Sequence, residues 1–294
     1  MQSEQLSFES PRLGARRPGR RHPESAVDDA AFVGGIPERF HRDLGPVLFE
    51  PYARLTAERI RARAPRRVLE TACGTGIVTR RLREVLHNDA LLVASDLHEP
   101  MLAVARAALG SEAAVEWSQA DMCELRFGDR AFDAVVCQFG LMFAADKLAA
   151  VREAHRVLEP GGSLLLTTWA PLDRNAVISV AHHTVGLVFA ENPPQHLVRA
   201  PFGDGDPREL HDLLVAGGFR DVEVDVVEKS TSAPSAHELA AGLLEGTPLG
   251  DEIRLRDAAR LPSVIGAVAR AIGRRFGDRP VRGQIAALVA SAVA

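Results

Sequence analysis

Lysine is nearly absent. Lys147 and Lys229 are the only two among 35 basic residues, a bias toward arginine that reflects a GC-rich genome more simply than a function. Cysteine is scarce as well. Cys73, Cys123 and Cys137 form no CxxC pair, which excludes a disulfide framework and predicts a reducing, cytoplasmic setting. No apolar run reaches the roughly 18 residues that a membrane helix requires, so no membrane span is expected. Glu4 and Glu9 with no apolar stretch beside them predict no secretory signal. Metal-ligand spacing is missing too: His182 and His183 are adjacent and would point apart on a helix, so no metal is expected. A net charge of −4 without a basic stripe leaves no nucleic-acid footprint. No internal repeat is visible. What is present is a chain of 294 residues, 46% hydrophobic and 25% charged, long enough to bury a full core.

Residues 1–28 hold Pro11, Pro18, Pro23 and the cluster Arg16, Arg17, Arg20 and Arg21, which predicts a disordered Arg-rich tail. The domain proper is expected over 29–294. Its first part, 29–64, is rich in large apolar residues (Phe32, Ile36, Phe40, Leu44, Phe49, Tyr52) and predicts one or two helices packed across something. Strands then alternate with helices. Strands are expected at 67–71, 91–95, 114–117, 131–137 and 163–169, with helices at 75–87, 100–109 and 146–158. Pro160-Gly161-Gly162 is expected to stop the last of these helices. Strands that are apolar on both faces and separated by helices predict a parallel sheet covered on both sides, a doubly wound α/β fold. After Trp169 the pattern changes. Residues 171–205 read as a helical cap insertion, 222–227 as a strand, and 235–246 and 262–274 as helices. The stretch 281–293 reads as either a strand or a helix.

The organising stretch is Arg67 to Gly76, a strand that runs into a small-residue loop from which a helix starts. Such a loop lets backbone approach a ligand, and the helix start presents free N–H groups. In a doubly wound sheet, ligands sit outside the carboxyl ends of the strands. Glu70, Asp96, Asp121 and Gln138 fall at four successive strand exits. Asp96 follows Gly76 at the spacing of an acid that accepts both hydroxyls of a ribose; capping of the next helix is the plainer role. Asp121 is placed to accept an adenine amine with Met122 beside the ring, or merely to form a turn. Leu97, Met101 and Met122 would supply an apolar slot for a flat base, or core.

These residues resemble a class I S-adenosylmethionine-dependent methyltransferase, in the small-molecule branch that includes the ubiquinone/menaquinone-type enzymes. Leu69-Glu70-Thr71-Ala72-Cys73-Gly74-Thr75-Gly76 resembles the family's first motif, and Asp96 to Leu102 resembles its acidic second motif. Gln119-Ala120-Asp121, Phe132 to Phe139 and Arg156 to Gly162 resemble the adenine loop, the fourth strand and the turn before strand five. The resemblance implies a mostly parallel seven-stranded sheet of Rossmann-like form and S-adenosyl-L-methionine as cofactor. It places Glu70 with the loop of Ala72, Cys73, Gly74 and Gly76 around the methionyl end, and Asp96 on the ribose. It sets Leu97 and Met101 beside the adenine, Asp121 and Met122 at its amine and edge, and Gln138 toward the sulfonium. Two positions depart from the pattern. Ala72 stands where the first glycine is usual, so a positive φ there would strain it, and Phe40-His41 replaces a common Tyr-Asp pair.

The expectation is therefore methyl transfer to a small organic acceptor (on O, N or C), in secondary or quinone metabolism, with the N-terminal helices and the cap roofing the pocket. A base is needed only where the acceptor must lose a proton. His41 and His183, with His182, are the candidates. The alternative is a protein of the same fold that binds the cofactor without methylating, in a rearrangement, a cyclisation or a regulatory role. Asn192-Pro193-Pro194-Gln195 resembles an amino-group-binding motif in other methyltransferases, but it lies outside that motif's place after strand four and reads as a turn in the cap.

Overall fold

The computed structural model describes residues 28–111, 114–203 and 205–294. The tail expected over 1–28 lies, but for its last residue, outside the described residues. Seven strands form one sheet: β1 (Arg67–Thr71), β2 (Leu91–Asp96), β3 (Glu116–Gln119), β4 (Phe132–Gln138), β5 (Leu158–Trp169), β6 (Arg220–Ala233) and β7 (Val281–Val293). Their order across the sheet is β3-β2-β1-β4-β5-β7-β6, and only β7 runs antiparallel to its neighbours. The order reverses between β1 and β4, which opens a crevice beyond their carboxyl ends.

Eleven α-helices surround the sheet among the described residues: α1 (Ile36–Arg39), α2 (Glu50–Arg63), α3 (Ile77–Val85), α4 (Glu99–Leu109), α5 (Lys147–Val157), α6 (Ala176–Val188), α7 (His196–Arg199), α8 (Pro207–Ala216), α9 (Ala236–Glu245), α10 (Leu249–Asp257) and α11 (Leu261–Phe276). A π-helical stretch, Phe40–Phe49, joins α1 to α2 and carries Pro46 inside it. The period-2 alternation of each strand divides the core. Val68, Leu92, Ala134, Val136, Leu165, Ile285, Ala287 and Val289 face α2, α3, α6, α9 and α11. Leu69, Val93, Val135, Leu164, Leu166, Ala286 and Leu288 face α5 and α8. Both faces are covered, so the middles of the central strands (Val68-Leu69, Leu92 to Ala94, Ala134 to Cys137, Leu164 to Leu166) are apolar and buried.

The structure moves some boundaries. β3 begins at Glu116, two residues later than expected, and Gln119 belongs to it. β5 begins at Leu158, immediately after α5; Pro160-Gly161-Gly162 forms an irregularity inside the strand, with Gly161 at φ 84°. Residues 281–293 are a strand. Their apolar, alanine-rich run pairs with β5 on one side and β6 on the other, and that tertiary pairing overrides helix propensity. The chain between β6 and β7 makes an excursion of three helices, α9 to α11, that packs against the same face as the N-terminal helices.

Asn175 fixes the start of the 171–205 segment. Its buried amide donates to the carbonyls of Ala170, Pro171 and Ala286 and accepts from the Ala286 N–H at 2.9 Å. Both ends of the amide thus tie the exit of β5 to β7.

Candidate functional site

Beyond the carboxyl ends of β1, β2 and β4 lies a cavity of about 930 Å³. Its floor is the loop after β1. Ala72 sits there at φ 51°, the left-handed conformation in which an alanine methyl is strained. Gly74 (φ 55°) donates its N–H to Asp96 Oδ2 at 2.8 Å, so the second acid holds the loop of the first motif in place. The Cys73 N–H donates to the Ser95 carbonyl at 2.9 Å, a further tie between loop and β2. Gly76 (φ 79°) starts α3, and a Cβ there would lie 3.0 Å from the Ala105 Cβ and from Leu109 Cδ1. Gly76 is therefore a packing glycine against α4, set between Thr75 and Ile77, which border the cavity while Gly76 does not.

Glu70, Ala72, Cys73, Gly74, Asp96, Leu97, Met101, Asp121, Met122 and Gln138 all border the cavity. Glu70 is almost fully buried, and its Oε2 has no hydrogen-bond partner. Burial, reinforced by the Asp96 carboxylate, pushes its carboxyl up to about 8. A buried acid with an unpaired oxygen beside a helix start is stabilised by a cationic amine. Asp96 is buried too, and burial raises its pKa against the backbone N–H groups of His98 and Gly74 that it accepts at 2.9 and 2.8 Å. Each carboxylate oxygen keeps a lone pair for a diol. The His98 contact is an Asx turn rather than a cap on α4.

Leu97 is half exposed over the cavity, whereas Met101 is buried against Phe32 and Ile36 of the N-terminal segment. Asp121 accepts the Cys123 N–H at 2.8 Å and so forms the turn as well as bordering the cavity. Gln138 borders the cavity, and its amide makes two bonds to the N-terminal segment. Oε1 accepts from the Thr56 hydroxyl at 3.0 Å, and Nε2 donates to the Phe49 carbonyl at 3.2 Å. It ties β4 to the N-terminal helices and keeps one N–H and one oxygen lone pair free of these two bonds. Burial lifts the Cys73 thiol well above its usual range, so it is inert filler in the loop.

None of the expected bases reaches the cavity. His183 is exposed on α6, and His182 does not border the cavity. His41 sits on the π-helical stretch, where burial and nearby Arg80 hold its imidazole below the usual range, but it too is outside the lining. The buried His that does border it is His196 on α7. Its Nδ1 lies 2.9 Å from Asp29 Oδ1, its ring is fully buried, and its Nε2 has no partner. Arg199 grips Asp29 through two further hydrogen bonds. Burial opposes ionisation of Asp29, but the bonds from His196 and Arg199 outweigh it and hold the carboxyl at about 2. Asp29 and His196 are 167 residues apart, so no local spacing announces them.

The upper wall is aromatic. Phe139 stacks on Trp169 at 4.0 Å and 21°, and Trp169 on Phe202 at 5.5 Å and 26°. Phe49 meets both Phe139 and Trp169 edge-on, and Phe32, Phe40 and Phe143 continue the wall. Leu243 of α9 and Thr247 after it also border the cavity, so the β6–β7 excursion shares the roof with α7 and the N-terminal segment. The Asn192–Gln195 turn does not border it; Asn192 accepts from Arg256 of α10 through its carbonyl and Oδ1.

A methyltransferase-domain family model matches residues 69–166, the stretch from the middle of β1 to near the end of β5. The chain is 36% identical over 141 residues to a ubiquinone/menaquinone biosynthesis C-methyltransferase of Pseudomonas fluorescens, covering 47% of this chain and 55% of the relative. It thus spans little more than half the length of that relative. It is 36% identical over 184 residues to the Shewanella woodyi protein of the same description, covering 58% of this chain and 73% of the relative. Among solved structures, the YcgJ protein of Bacillus subtilis superposes with a TM-score of 0.55 at 19% identity, covering 82% of this chain and 97% of that one. At that identity the likeness concerns the fold.

Proposed function

The chain belongs to the class I S-adenosylmethionine-dependent methyltransferases, and from that premise we propose that it transfers a methyl group to a small organic acceptor bound under the aromatic roof. The observation that carries the proposal is the set of acids at the exits of β1 and β2, Glu70 with an unpaired buried oxygen and Asp96 with backbone-fixed oxygens, on one cavity. Glu70 would hold the amino group of the cofactor, Asp96 its ribose, and Leu97, Met101, Asp121 and Met122 its adenine. The cavity lies at the upper end of the ~300–1,000 Å³ of small-ligand pockets, which suits a cofactor with a small acceptor. The names of the relatives make quinols and other hydroxylated aromatics the first acceptors to try. Three free cysteines suit a reducing compartment such as the cytoplasm. Among the described residues, no helix is long and apolar enough to cross a membrane.

The bound cofactor supplies a methyl group already activated on a sulfonium. The protein's work is then orientation and exclusion of water, and alignment alone supplies about 7–11 kcal/mol of a bimolecular barrier. Phe49, Phe139 and Trp169, packed edge-on and stacked, form a dry wall that α7 and α9 close. The test is transfer of a labelled methyl to a panel of phenols, quinols, amines and carboxylates. Wild type is expected to label at least one hydroxylated aromatic. Asp96→Ala should lose about 10- to 100-fold in kcat/KM, the value of a hydrogen bond to a charged group. Unchanged turnover in a folded Asp96→Ala variant would sink the assignment.

A further inference from the structure

His196 is a fully buried histidine with two unlike nitrogens. Nδ1 meets Asp29 Oδ1 at 2.9 Å, while Nε2 has no partner and is shut off from water. An ionised carboxylate only accepts, so Nδ1 carries a proton, and in the neutral ring Nε2 is then the acceptor. A buried acceptor with nothing to accept from is costly, and a ligand O–H or N–H relieves it. Asp29 does not need the histidine to hold it. Arg199 binds both of its oxygens and is itself paired with Glu252 of α10. A latch between the N-terminal segment and α7 would be complete with Arg199 alone. The histidine adds something a latch does not use: a second ring nitrogen without a partner, on a residue that borders the cavity.

A chain of charged groups runs past it. Asp29 comes from the N-terminal segment and Arg199 from α7 itself; Glu252, paired with Arg199 and approached by Arg256 at 3.8 Å, comes from α10. The helix that carries His196 runs on into Pro201 and Phe202, and Phe202 is the outer ring of the stack with Trp169 and Phe139. A flat ring laid along that stack suits the wall's geometry.

We propose that His196, oriented by Asp29, is the general base that takes the proton from an aromatic hydroxyl while that oxygen attacks the methyl group. This rests on the methyl-transfer reading above. The balance is simple. The O–H bond of the acceptor breaks and its proton passes to Nε2. The oxygen–methyl bond forms as the carbon–sulfur bond breaks, and the sulfonium leaves as a neutral thioether. The imidazolium, stabilised by Asp29, returns its proton to water when the products depart. Asp29 is a positioning residue and His196 a catalytic one.

The test uses His196→Gln and Asp29→Asn in the full chain, with two probes: 4-nitrophenol, assayed above its own pKa and so already ionised, and 4-methoxyphenol, which is not. Turnover with 4-methoxyphenol should fall by about 10²–10⁴ in His196→Gln, the range of general-base catalysis, and by less than about 10-fold with ionised 4-nitrophenol. Asp29→Asn should show the same ordering. A second readout needs no turnover. With S-adenosylhomocysteine bound, at a pH below its own pKa, 4-nitrophenol should show phenolate absorption in wild type and phenol absorption in His196→Gln. Equal losses on both phenols, a protonated nitrophenol in wild type, or no nitrophenol binding would each overturn the proposal. If S-adenosylhomocysteine itself fails to bind wild type, the methyl-transfer reading falls first. If it binds and only the dyad has no effect, that reading stands and this inference alone is lost.

Discussion

Replacing Glu70 by glutamine is expected to stabilise the ligand-free protein above neutral pH while weakening cofactor binding about 100-fold or more. The two effects have one source. In the folded chain, burial and the Asp96 carboxylate keep the Glu70 proton on until about pH 8, whereas an unfolded chain releases it near 4.5. Between those values the folded state binds the extra proton, so stability is fully present below 4.5 and falls as pH rises toward 8, by ~1.4 kcal/mol per unit. The neutral amide of the Glu70→Gln variant has no charge to bury, and the gain at pH 8 should be on the order of 2–4 kcal/mol. For the cofactor the sign reverses. A cationic amine beside Glu70 draws off the proton and forms a buried pair; removing one partner of such a pair costs ~3 kcal/mol or more. Thermal unfolding of both proteins between about pH 5 and pH 8 checks the first half, and titration calorimetry the second. Parallel stability curves would contradict the account of Glu70.

Gly140→Ala should be strongly destabilising, and Ala72→Gly should rescue it. A Cβ on Gly140 would lie 2.4 Å from the Ala72 Cβ and 3.1 Å from Cys137 Sγ. Both Cβ atoms are fixed to backbone, so one of the loops must move. Overpacking of this kind costs about 1–3 kcal/mol, and here it presses on the cofactor loop. Ala72 is already in the left-handed region, at a cost of about 1–2 kcal/mol. Ala72→Gly alone removes that strain but frees the unfolded chain, by about 0.4–1 kcal/mol. Its net effect should be small and favourable. In the double variant the clash with Ala72 disappears, so the two changes should couple by about 1–3 kcal/mol in urea denaturation. Strict additivity would mean that the two positions do not meet.

The acids of the site were legible because the βα units place them. Glu70, Asp96 and Asp121 each lie at or just beyond the end of a strand that could be read from apolar runs, and strand ends share one edge of a parallel sheet. The strain at Ala72 was legible for the same reason, since the turn after β1 demands a left-handed residue. Gln138 borders the cavity as its strand-exit position implies, but its protein partners could not be read from the sequence. Its exit position is a matter of strand length, but the Thr56 hydroxyl and Phe49 carbonyl that occupy its amide reach it only through tertiary packing. The dyad was beyond reach. His196 lies in a four-residue helix with no periodicity of its own, and Asp29 stands at the edge of a region read as a tail. Nothing local joins them. The helices α9 and α11 were visible as periodic stretches, but periodicity does not say that α9 roofs the cavity.

The central claim is that the acids at the ends of β1 and β2 hold the cofactor, and calorimetric titration of S-adenosylhomocysteine into wild type and Asp96→Ala tests it most directly. The account predicts one saturable site in wild type, weakened about 10- to 100-fold in a folded Asp96→Ala variant. A folded wild type that binds neither S-adenosylhomocysteine nor S-adenosylmethionine would contradict it.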